Sequence, residues 1–121
     1  MNIDLVRRYC MAFPYATEQV QWGNDLVFKI GGKMFAAGPL EPAPVCLSFK
    51  TTPEEFAELC ERPGIIPAPY LARAQWVALE SWDALPSGEL KRLLKQSYDL
   101  VLAKLPRKTQ AELATRRRPA P

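Results

Sequence analysis

The side chains best equipped for chemistry in this chain are three cysteines, a lysine behind two glycines, a run of glutamates and three tryptophans. No histidine accompanies them. That removes the usual general base near neutral pH and the commonest nitrogen ligand for metals. Serine or cysteine triads built on histidine are therefore excluded within one chain. Cys10, Cys46 and Cys60 are scattered and form no CxxC pair, so they neither close a zinc tetrahedron nor suggest a disulfide framework. Gly31-Gly32-Lys33 lacks the spacing of a phosphate-binding loop, and Met34 stands where a magnesium-binding hydroxyl would follow the lysine. Glu54, Glu55, Glu58 and Glu61 cluster along a few turns, but acidic residues at a helix start have a sufficient structural role there. Neither a catalytic constellation nor a metal or cofactor site is expected.

Binding is the remaining class. Lys29, Lys33, Lys50, Arg62 and Arg73 are five of the seven basic side chains outside the C-terminal part, and together they are candidates for phosphate contacts. Ser48, Tyr70 and Trp76 are candidates for a ligand or partner surface. Trp22 and Trp76 are expected in the core or at a sheet edge.

These side chains must be positioned by an α+β fold. Residues 2–11 read as a helix capped by Asn2 and ended by Pro14. A strand is expected over 17–22, with Val20 and Trp22 on one side. Residues 26–37 are the clearest local signal: two strand-like runs separated by Gly31-Gly32, which permit the positive φ angles of a tight hairpin turn. After a proline-rich loop, residues 45–50 alternate, with Val45, Leu47 and Phe49 inward and Cys46, Ser48 and Lys50 on the other side. Thr52 caps a second helix, with Pro53 at its first position and Glu55 placed for a capping box. Residues 63–70 read as an irregular link and 76–80 as a short strand. The last helix starts with Ser87 as cap and stops at Pro106. The expected order is α-β-β-β-β-α-β-α, an antiparallel sheet with helices on one face and the opposite face open.

The chain has 121 residues, 48% of them apolar and 24% charged, which fits one globular domain. Its net charge of +3 is unevenly spread. Residues 1–90 carry seven Lys/Arg against eleven Asp/Glu, hence −4, while residues 91–121 carry nine against two, hence +7. The domain is expected over 1–106, followed by a basic, flexible tail over 107–121. The opening residues lack a basic segment followed by an apolar one, and no apolar run has the length of a membrane span, so a cytoplasmic protein is expected.

The chain resembles the MmcQ/YjbR family of small bacterial proteins. The resemblance lies in Phe13-Pro14, Val20-Gln21-Trp22-Gly23, the hairpin from Val27 to Phe35, Leu47-Ser48-Phe49-Lys50 before Thr52-Pro53-Glu54, the segment from Pro63 to Leu71, Trp76-Val77, and Ser97-Tyr98 with Leu102, Lys104 and Leu105. It runs over roughly residues 2–106. It implies a two-layer sandwich similar to CyaY and frataxin, although Asp4 alone in the first helix does not support frataxin's iron role. It also implies a predicted DNA-binding protein with a double-wing arrangement, non-enzymatic and regulatory, and it brings no catalytic residues. The expectation is therefore a monomeric module that binds DNA. The alternative is a small-molecule or protein-binding module that uses the open sheet face.

Overall fold

A computed structural model gives the fold, and the structure describes residues 1–116. Helix α1, Ile3–Cys10, is capped by the Asn2 side chain, which accepts a bond from the Leu5 amide. Four strands follow: β1 Thr17–Gln21, β2 Asp25–Ile30, β3 Lys33–Pro39 and β4 Leu47–Lys50. Helix α2, Pro53–Leu59, begins at Thr52, whose hydroxyl accepts from the Glu55 amide. The reciprocal half of the capping box is replaced: the Glu55 carboxylate reaches Arg92 and Gln96 instead. Strands β5, Ile65–Pro67, and β6, Trp76–Leu79, are joined by a strap that contains a 3₁₀ turn at Ala72–Ala74. Helices α3, Ser87–Ala103, and α4, Arg107–Arg116, complete the chain.

The six strands form one antiparallel sheet in the order β1-β2-β3-β4-β6-β5. One face carries Leu26, Phe28, Phe35, Leu47, Phe49, Val77 and Leu79 into a single core with Val6, Cys10 and the buried stripe of α3 (Leu90, Leu93, Leu94, Tyr98 and Val101). Side-chain alternation along the strands sets this face, and the 3.6-residue period of α3 matches it. A bulge sharpens the fit. Phe28 pairs with Ala36 and Lys29 with Met34, so Phe35 is an extra residue on β3, and both Phe35 and Ala36 join the core. The Gly31-Gly32 turn has φ of +58° and +80°, as the hairpin requires.

Three expectations about the elements are corrected. The link over 63–70 contains strand β5, too short and too proline-marked to register as a strand by pattern. Residues 107–116 form α4 rather than a flexible tail, because Leu113 is buried in the main core and Thr109 abuts the hairpin turn. The rest of that segment, 117–121, lies outside the described residues. Ser87 is the first helical residue of α3, with Pro86 at the cap and no side-chain cap bond. Two strand readings also change. Val45 precedes β4 and packs against a second apolar cluster rather than the main core. Trp22 leaves β1 with φ +49° instead of extending it.

The second sheet face is only half open. Ala68, Trp76 and Ala78 are buried there, with Met34, Ile66, Leu71 and Ala74 packed around them. The strap over 68–75 folds back across β6 and is tied to Lys50 and Thr51, at the end of β4, by three bonds. Lys50 Nζ donates to Ala74 O at 2.8 Å, Thr51 Oγ1 to Gln75 O at 2.7 Å, and the Thr51 amide to the same oxygen at 2.9 Å.

Candidate functional site

Beside the strap, the uncovered half of this second face sinks into a groove of about 620 Å³. That size suits a drug-sized ligand. The ladder explains the floor: Val27, Ala37, Ser48 and Ala78 lie in register across β2, β3, β4 and β6, so their side chains share one face. Ala37 is small and leaves depth, while Met34 and Val45 give apolar sides. Pro39 at the end of β3 and Ala43 of the proline-rich loop close one wall, and Pro69, Tyr70 and Leu71 of the strap close the other. Trp22 and Asp25, from the β1–β2 turn and the start of β2, stand at the rim.

Two features distinguish the rim from ordinary surface. Trp22 is 67% exposed and Tyr70 fully exposed, so neither ring serves the core. Both also hold left-handed backbone, φ +49° and +66°, where glycine or asparagine would be cheaper. The polar groups are few. Ser48 and Asp25 carry side chains with no hydrogen bond or ion pair among the described residues.

The structure places both Ser48 and Tyr70 on the lining of this groove. Trp76 does not join them at the surface: it is 4% exposed beneath the strap and belongs to the support. Trp22, Asp25 and Met34 were missed by sequence reasoning. An aromatic after a strand is usually core, and no local pattern announces one held outward by a left-handed backbone.

The five basic candidates do not form one face. Arg62 lies just beyond α2 in the helical layer and is bound bidentately by Glu89 of α3 at 2.7 and 3.1 Å. That pairing holds the Glu89 carboxyl below its ordinary range, through the hydrogen bonds with Arg62 before their charge attraction. Arg73 sits in the strap, and Lys29 donates to Gln19. Lys50 is partly buried under the strap, and desolvation, aided by Lys104, lowers its pKa. Lys33 flanks the hairpin turn, whose Gly31 lies against Leu105 and Thr109. The hairpin end is thus placed beside the start of α4, where Arg107 and Lys108 stand.

Thiol chemistry finds no support in the geometry. Burial pushes the Cys10 thiol up to about 12 and Cys46 to about 11, away from the reactive thiolate. Among the described residues no group of three or more Cys, Asp or Glu is arranged to hold a metal ion, and no helix is long and apolar enough to cross a membrane.

A helical layer on one face of an antiparallel sheet, with a strap and an aromatic-rimmed groove on the other, defines a small α+β protein whose accessible cavity lies outside its core. The YjbR family model matches residues 11–100, and the chain belongs to the YjbR family. It is similar to the crystal structure of Deinococcus radiodurans protein DR2400, which carries a DUF419 domain. The TM-score is 0.84 at 30% identity, over 93% of this chain and 88% of that one. A protein from Pseudomonas syringae shares the fold at TM-score 0.69 and 22% identity, over 84% of this chain and 99% of that one. No curated protein matches the sequence.

Proposed function

We propose that this chain is a non-catalytic binding module whose groove on the second sheet face takes a small, largely apolar molecule. The observation that carries the reading is the rim: Trp22 and Tyr70 are both exposed and both held in left-handed backbone beside an apolar hollow. Large apolar rings so placed add nothing to the core, and unusual backbone concentrates at functional sites.

A screen of indole- and naphthalene-sized fragments by thermal shift tests it. Hits should stabilise the wild type and lose their effect in Trp22→Ala and Tyr70→Asn. The Tyr70→Asn variant itself should be as stable as the wild type or up to about 1 kcal/mol more stable, since asparagine tolerates the left-handed region. A screen without hits, or hits that persist in both variants, would remove the reading.

Association with DNA is the second reading. The observation in its favour is the hairpin turn next to Lys33: its Gly31 lies against Leu105 and Thr109, in the stretch that carries Lys104, Arg107 and Lys108. None of these four takes part in an ion pair among the described residues. Duplex DNA should then be retarded at low salt, with affinity falling steeply as salt rises and dropping further in Lys104→Ala/Lys108→Ala. Lack of retardation at low salt removes it, as does retardation indifferent to these substitutions.

A further inference from the structure

The polar groups of the groove narrow the class of ligand. Asp25 is the one acidic or basic residue among those that line it, and the other side-chain hydrogen-bonding groups are the Ser48 hydroxyl, the Tyr70 phenol and the Trp22 indole N–H. The Asp25 carboxylate makes no hydrogen bond or ion pair with any described residue. Its position is fixed by the ladder: Asp25 pairs with Pro39 on one side and Gln21 on the other, while Leu26 turns into the core, so the Asp25 side chain points to the groove face. Beside it stands the exposed ring of Trp22, and Tyr70 lines the same groove. A carboxylate only accepts hydrogen bonds, and the faces of Trp and Tyr rings attract cations. Among the described residues no cationic side chain lines the groove to neutralise Asp25; Lys50 instead donates to Ala74 O under the strap.

From this we infer that the ligand is an organic ammonium ion on an apolar body, its charge set between Asp25 and the exposed aromatic rings and its body over Ala37, Met34 and Val45. The inference rests on the groove being a binding site, as proposed above. A charge-assisted bond to Asp25 fixes orientation, and the Ser48 hydroxyl accepts a second N–H or serves a neutral polar group further along the body.

Three probes that share one body separate the two claims: naphthylmethylamine, naphthylmethanol and naphthoate, titrated into the full chain by calorimetry. The ammonium probe should bind at least about tenfold more tightly than the alcohol, with naphthoate weakest, and the gap should narrow as salt rises. Asp25→Asn should remove most of the amine's advantage over the alcohol, leaving the share that the Trp22 and Tyr70 rings supply, with the alcohol unchanged. If the alcohol or naphthoate binds the wild type as well as the amine, the charge assignment is overturned while the groove reading stands. A preference undiminished in Asp25→Asn also overturns it. If none of the three binds, the groove reading fails and the inference falls with it. The wild-type series decides the matter even if the variant proves unstable.

Discussion

Ser97 offers the sharpest quantitative test of how this scaffold is held. Its hydroxyl is fully buried and donates to the Phe35 carbonyl at 2.6 Å while accepting from the Lys50 amide at 3.0 Å. The bulge explains why a side chain is needed there. The β3–β4 ladder pairs Ala36 with Phe49 and goes no further toward Phe35 and Lys50, so α3 supplies the missing partner for both. Ser97→Ala strips a hydrogen bond from two buried backbone groups at once. Each lost bond costs about 1 kcal/mol net, and stranding the buried groups raises the total to about 2–4 kcal/mol. For a chain of this length that corresponds to a fall in Tm of roughly 10 °C. Urea unfolding followed by circular dichroism should show the midpoint falling with an unchanged m-value. Ser97→Cys, nearly isosteric but a weak donor, should recover part of the loss. Lys50 also clamps the strap through Ala74, so amide exchange at Thr51 and Ala68 should quicken in Ser97→Ala. A destabilisation below about 0.5 kcal/mol would refute the view that the bulge depends on this bridge.

Two further outcomes are expected. Gly31→Ala should destabilise more than Gly32→Ala. Both substitutions strain a left-handed backbone by about 1 kcal/mol, but a Cβ at Gly31 would lie 2.5 Å from Leu105 Cδ1, itself buried, whereas one at Gly32 meets nothing within 4 Å. Equal midpoints in urea would show that Gly31 is not packed tightly against Leu105. The Arg62–Glu89 pair should give a small acid-sensitive contribution. The Glu89 pKa is lowered in the folded state, so its stabilisation is complete above the ordinary carboxylate range and fades as pH falls through the depressed value. The stability gap between wild type and Arg62→Met should therefore be modest at neutral pH, since the pair is about one-third exposed, and should close in acid. A gap that stays constant down to the acid limit would contradict the pairing.

The parts of the fold legible in the sequence were those encoded locally. Gly31-Gly32 fixed a hairpin, Asn2 and Thr52 fixed two helix starts, and the leucines of α3 marked a buried stripe. Elements whose stability is tertiary were not legible. Strand β5 is held by pairing with β6 rather than by its own three residues, one of them proline. Helix α4 contributes Leu113 to the core, one residue in ten, and so shows no stripe. The groove was half legible. Ser48 and Tyr70 could be assigned to an exposed sheet face from alternation and from the proline-rich link. The strap that buries Trp76 and raises the wall is a long-range contact that no periodicity announces. Arg62 is set apart from the other basic candidates for a related reason: its partner Glu89 lies twenty-seven residues away in sequence.

Most of the segments through which the chain resembles its family have a structural use that the contacts explain. The Tyr98 hydroxyl donates to Pro14 O at 2.7 Å, and its ring lies 4.9 Å from that of Phe13, which ties the end of α1 to α3. Ser97 completes the bulge, Leu47 and Phe49 fill the core, and the paired glycines turn the hairpin. Family membership therefore accounts for a scaffold. Trp22 and Tyr70 fall within the same set of segments, yet no core contact explains them: each exposes a large ring, and each sits where the backbone would favour glycine or asparagine. Folding alone would be served better by smaller residues at both positions, because exposed apolar area and left-handed strain both count against the native state. Side chains that cost stability in the free protein and border one hollow are best explained by what the hollow receives. That is why the groove, rather than any cationic patch, is the place to look first for this protein's activity.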